Sequence, residues 1–209
     1  MSGSDVKAVF IQADTDAADA DGIATSQTPS GAGNLTINGA KASGGVATFN
    51  AARQVTITSA GDDQARTFTI TGTDVNGNAL TEAVAGADTA AATSTKHFLT
   101  VTQIAVDDAT AGAVTAGMNT SAIAVVFAGR SRLKGAFIVN SATAGSVSFR
   151  DSSDAGESGS TLLQLGTVAS ATAERDVTIP EQGIAFVNGI FVPYTAGTTV
   201  WTNMTVFHA

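Results

Sequence analysis

Four aspartates, Asp14, Asp16, Asp19 and Asp21, fall within eight residues near the start of the chain and form its densest set of hard oxygen donors. Calcium ligation is the chemistry such a set offers, but the EF-hand spacing, with its glycine at the sixth position and bidentate glutamate at the twelfth, is not met. The bland alternative is a solvated acidic segment, which can bind a basic patch on a partner without any metal. No metal or cofactor is therefore assigned. The complementary group is Arg130, Arg132 and Lys134, three cations at alternate positions, which in an extended strand share one face. They suit acidic groups on a neighbouring protein or the acidic segment of a second copy of this chain. The competing reading is an exposed sheet edge kept from sticking by charge.

Catalytic patterns are harder to assemble. The two histidines, His97 and His208, have no sequence partner that makes them a general base or metal pair. Gly129-Arg130-Ser131-Arg132-Leu133 is the nearest approach to a nucleophile elbow and lacks its last glycine and its helix. Gly31-Ala32-Gly33 lacks the third glycine of a dinucleotide loop, and no phosphate-binding loop of the Walker type is present. A glycoside hydrolase needs a carboxylate pair across a cleft. The glutamates are only Glu82, Glu157, Glu174 and Glu181, with Glu157 and Glu174 in expected turns. The reading is a protein that is not an enzyme. Trp201 and Tyr194, the sole Trp and Tyr, are expected as core or rim anchors rather than a sugar-stacking platform.

Composition narrows the partners. The 209 residues carry 10 Lys+Arg against 18 Asp+Glu, a formal charge of -8, with a pI near 4.5. That balance argues against nucleic acid and anionic membrane as partners. With no cysteine there is no disulfide framework and no thiolate metal site. The segment Met1 to Gln12 has an apolar stretch of only four residues, and the longest run elsewhere is Ala122 to Ala128, so neither a signal peptide nor a membrane span is expected. The expectation is a soluble protein made in the cytosol. Charged residues make up 13% and threonines number 30, a surface suited to strands and broad protein contacts.

The elements that must hold these residues are strands. In Arg66 to Val84, Phe68 and Ile70 alternate with Thr67, Thr69 and Thr71, and Asn76-Gly77 supplies a tight turn, which together predict a β-hairpin. Further strands are predicted over 34–37, 46–49, 54–58 and 96–106, the last with Phe98, Thr100, Thr102 and Ile104 on one face. Beyond residue 121 they are predicted over 123–127, 133–139, 146–150, 161–165, 176–179, 183–191 and 198–207. Only 83–93, dense in alanine, leaves room for a turn or two of helix. The fold class is all-β, in two β-sandwich or jelly-roll-like units. Residues 1–33, poor in large apolar groups, read as an N-terminal arm or mobile segment. A small, polar stretch at 107–121 suggests a boundary near Gly117, giving a first domain over 34–117 and a second over 118–209.

Two stretches carry a family resemblance. QVTITSAGDDQARTFTITGTDVNGNALTEAVAGADT (from Gln54), then STKHFLTVTQIAVDDATAG (from Ser94), resembles a strand, hairpin and strand succession met in virion proteins of tailed bacteriophages. KGAFIVNSATAGSVSFRDSSDAGESGSTLLQL (from Lys134), then VTIPEQGIAFVNGIFV and MTVFHA, resembles a companion pattern of the same class, so that together residues 53–209 are covered. The resemblance implies a structural protein that binds the capsid exterior as a head decoration, or cement, protein. A tail, neck or fibre component is the alternative. It further implies the major capsid protein as partner, a homo-oligomer, in particular a trimer, and a place on the virion. It carries over no active-site residue.

Overall fold

The computed structural model describes residues 5–152 and 158–209 of the chain. The strands are β1 (Lys7–Gln12), β2 (Asp19–Gln27), β3 (Gly33–Asn34), β4 (Ala42–Ser43), β5 (Val46–Ser59), β6 (Thr67–Thr73), β7 (Ala79–Ala85), β8 (Ala91–Val106) and β9 (Val114–Ala128). There follow β10 (Ser131–Asn140), β11 (Gly145–Asp151), β12 (Ser160–Thr167), β13 (Glu174–Thr178), β14 (Ile184–Phe186), β15 (Gly189–Thr195) and β16 (Trp201–His208). Among the described residues there is no helix, and the strand pairings are antiparallel. The fold is all-β and sandwich-like, as the period-two patterning predicts. The alanine-dense 83–93 is the end of β7, a turn and the start of β8.

The chain divides into two compact units, one of residues 16–122 and one that joins 1–15 to 123–209. In the first, β5, β8, β6 and β7 lie in that order, with β2 paired to β9, β3 to β8 and β4 to β5. One core collects Ile23, Phe49, Ile57, Phe68, Ile70, Phe98, Ile104 and Met118 from strands of this one sheet, which must therefore curl around it. Bulges supply the bend. In the β6–β8 ladder Thr71 faces Gln103 but Gly72 faces Val101, so Thr102 is the extra residue. The bulge breaks the predicted alternation: Phe98, Val101 and Ile104 are buried while Thr102 is exposed. The predicted hairpin is β6 and β7, with Gly77 at φ 81° in the turn and the Asp74 carboxylate accepting the Asn76 and Asn78 N–H groups.

In the second unit, β1, β16, β10 and β13 form one sheet with β14 also paired to β10. Strands β12, β11, β15 and the end of β9 form the other layer. Leu133, Ile138, Met204 and Val206 of the first layer meet Val147, Phe149, Ile190 and Val192 of the second in one core. Trp201, fully buried, stands edge-on to Tyr194 at 5.1 Å between ring centres, which places both in this core.

Two segments differ from the expectations. The stretch around Gly117, read as a boundary, lies inside β9, with Val114, Ala116 and Met118 buried. Its small residues serve close packing: a Cβ on Gly117 would collide with the backbone of Asp19 and Ala20 in β2. Of the expected arm, residues 7–12 form β1 against β16 and residues 19–27 form β2 against β9, anchored by the fully buried Ile23 and Ala24. Two apolar side chains and a strand partner offset the ordering of a segment that, by composition, could not order itself.

Candidate interaction surface

The acidic segment is pinned rather than free. Asp14 is buried, its N–H donating to the Tyr194 hydroxyl at 3.2 Å and its carbonyl accepting the Gly197 N–H. The Asp16 carboxylate pairs with the Lys41 ammonium at 2.5 Å and accepts the Asn50 side-chain amide at 3.0 Å. Asp19 accepts the Asp21 N–H at 3.3 Å, and Asp21 is exposed. Among the described residues no three acidic or histidine side chains are placed together to hold a metal ion. Beneath this segment the guanidinium of Arg53, fully buried, donates to the carbonyls of Asp16, Ala17 and Asn119. Sequence reading passed over Arg53, because a single arginine in a threonine-rich strand has no periodic signature.

Of the three expected cations, Arg130 is separated from the other two. Arg130 is exposed and precedes β10, beside Gly129 at φ 129°. Arg132 and Lys134 are half-buried on β10, which lies between β16 on one side and β13 and β14 on the other. An interior strand has no open ladder to protect, so edge protection does not account for them. They meet instead a residue that the sequence could not connect to them, Lys7 of β1. Lys7, Arg132, Lys134, Asp5, Glu181, Gln182 and Ala209 line an open groove of about 640 Å³. The Arg132 guanidinium donates to the Gln182 carbonyl at 3.3 Å and the Lys134 ammonium to the Glu181 carbonyl at 3.0 Å.

The groove owes its shape to two local features. Leu133 faces His208 and Gly135 faces Phe207 across the β10–β16 ladder, leaving Lys134 as a bulge residue whose side chain is re-aimed. The turn after Pro180 closes with the Gly183 N–H on the Pro180 carbonyl and holds Glu181 at φ 54°, an uncommon conformation for a residue with a side chain. That turn aims two carbonyls at the two cations.

The histidines are structural. His97 is fully buried with its Nε2 2.9 Å from the Ser121 hydroxyl. His208 is buried with its Nδ1 2.9 Å from the Ser131 hydroxyl and its ring tilted at 33° to that of Phe127, 5.0 Å between centres. Burial, and secondarily the nearby Lys7 charge, push the His208 imidazolium below its usual range. Of the four glutamates, Glu82 accepts the Thr95 and Lys96 N–H groups, Glu174 opens β13, Glu181 lies in the turn, and Glu157 falls outside the described residues.

A second surface consists of apolar groups left outside. The large apolar side chains that are exposed among the described residues, Val6, Phe10, Phe127, Leu162, Val168 and Val187, all belong to the unit of 1–15 and 123–209. Phe10, 65% exposed, stands on β1, the end strand of its sheet. The opposite layer ends in β12, whose sequence STLLQLGT carries no charge. Neither family models, nor characterised proteins, nor solved structures give a match to this chain.

Proposed function

We propose that the protein is a structural, non-catalytic component of a bacteriophage virion that binds the capsid exterior as a decoration protein, with the major capsid protein as partner. The observation that carries this reading is the confinement of exposed apolar side chains to one unit, where the end strand β12 carries Leu162 and no charge and Phe10 projects from the end strand β1. Open ladders without lysine or proline are templates for contact with other chains, and scattered apolar groups at such edges add area to it. The opposing feature, a formal charge of -8, keeps free copies apart and away from packaged DNA. The sequence resemblance to phage virion proteins supplies the class of particle. Self-association into a trimer belongs to the same proposal, and sedimentation of the isolated protein at micromolar concentration tests it.

A protein that binds only the assembled shell stabilises it by mass action, by roughly 2.7 kcal/mol per site at a hundredfold excess over Kd. Heating particles with and without the protein is the test, together with its position in an image reconstruction of the intact particle. A higher rupture temperature and density spread over the head are expected. Equal rupture temperatures, with density confined to a ring or stalk below one vertex, would replace the reading with the tail, neck or fibre alternative.

A further inference from the structure

The groove between Lys7 and the turn after Pro180 has a chemistry of its own. Three cations from two distant parts of the sequence converge on it, and among the described residues none of the three lies in an ion pair: Asp5 and Glu181 share the groove without approaching any of them to 4.0 Å. Arg132 and Lys134 each spend a donor on a neutral carbonyl, and that contact orients the side chain without cancelling its charge. Both are half-buried and belong to an interior strand, so their stems are held and their heads are presented in fixed positions. The bulge at Lys134 and the left-handed Glu181 spend backbone regularity to create this presentation.

We infer that this groove, through Lys7, Arg132 and Lys134, binds an acidic segment of a partner protein, taking its carboxylates. Arginine and lysine side by side match carboxylates by charge-assisted hydrogen bonds, bidentate at the guanidinium. The choice of carboxylate over nucleic-acid phosphate follows from the surroundings. Asp5 and Glu181 beside the groove and the overall charge of -8 repel a continuous polyanion, while a few carboxylates on a peptide meet three cations at close range. Arg130, exposed and ahead of the strand, is not part of the groove. The inference deepens the proposed virion role by naming the chemistry of the partner, yet it is tested without the particle.

A fluorescently labelled hexaglutamate peptide, titrated with the full chain at low salt, should bind. Its affinity should fall as salt rises. Replacing Arg132 and Lys134 together by Ser should weaken binding about tenfold or more, a loss of several charge-assisted contacts, while Arg130→Ser leaves it within about twofold. Lys7→Ser, in which a surface residue is changed, should weaken it severalfold with an unaltered melting temperature, guarding against misfolding of the double variant. Tenfold excess inorganic phosphate should compete weakly. Absence of peptide binding, binding by the Lys7→Ser and double variants undiminished from the parent, or displacement by phosphate at low excess would each overturn the inference. If the peptide binds and particles do not, the decoration reading fails and the groove stands. If particles bind the protein and the peptide does not, the groove inference fails and the decoration reading stands.

Discussion

The guanidinium of Arg53 grips the backbone carbonyl of Asn119 twice, with Nε and Nη2 donating to that one oxygen at 2.9 and 2.6 Å. The same side chain reaches the carbonyls of Asp16 and Ala17, so a buried cation fastens the acidic segment to β9. Arg53→Met keeps much of the apolar volume and removes the donors. It should lower the stability of the unit of 16–122 by about 3 kcal/mol, the scale of stranding several buried acceptors. Urea denaturation followed by far-ultraviolet circular dichroism measures the loss, and protease cutting within 14–21 should appear at lower enzyme concentrations.

Asp151 serves as an anion clamp for the turn into β15. Burial by itself would raise its carboxyl, but the N–H groups of Asn188, Val187 and Gly189 outweigh that and hold it below the usual carboxylate range. A group depressed in the folded state contributes stability above its unfolded pKa of about 3.9, and the contribution is lost as pH falls through the folded value. Asp151→Asn should therefore cost about 1 to 2 kcal/mol at pH 7, the worth of hydrogen bonds to a charged acceptor. The difference between variant and parent should close as pH falls below 4, as read from urea midpoints.

His208 acts in the opposite pH range. Because burial and Lys7 disfavour its charged form, the unfolded chain takes up the proton first. Stability from this residue is complete above the unfolded pKa near 6.5 and declines as pH falls below it, until the folded imidazole is protonated too. Between pH 7.5 and 5 the parent should lose stability and His208→Gln should lose less. The emission of Trp201, the one tryptophan and fully buried in the same unit, gives the readout.

Gly72 is required by backbone proximity. A Cβ there would run into the carbonyl of Thr100, on the neighbouring strand beside the Thr102 bulge. Gly72→Ala should cost about 1 to 3 kcal/mol, as overpacking does. Gly33→Ala, with nothing within 4 Å of the added atom, should change stability by less than about 0.5 kcal/mol. Thermal melting of the two variants side by side checks the contrast.

Phe10 separates binding from folding. With 65% of its surface exposed on β1, Phe10→Ser should leave stability within about 0.5 kcal/mol of the parent. In co-sedimentation with phage particles it should reduce the bound fraction, since the exposed ring is contact area on the proposed binding unit. An unchanged bound fraction would place the contact elsewhere.

Local rules in the sequence determined the all-β class, the hairpin at Asn76-Gly77 and the burial of Phe68 and Ile70, because a period of two and a positive-φ glycine act over a few residues. They also made Trp201 and Tyr194 core groups. Pairing between distant segments decided the rest. Nothing near residue 10 announces that β1 will lie on β16, nor that β2 will bury Ile23 against β9, since Lys7 faces His208 and Asp19 faces Met118, far along the chain, and strand pairing is paid for by the whole sheet. The small residues at 107–121 read as flexible when alone, yet smallness is what lets β2 approach Gly117. The grouping of Lys7 with Arg132 and Lys134 has the same origin: alternation predicted one face for three neighbours, and a bulge and an interior pairing put a different third cation beside two of them. Side-chain period is a property of the chain, whereas register and bulge position are settled only when neighbouring strands close their hydrogen bonds.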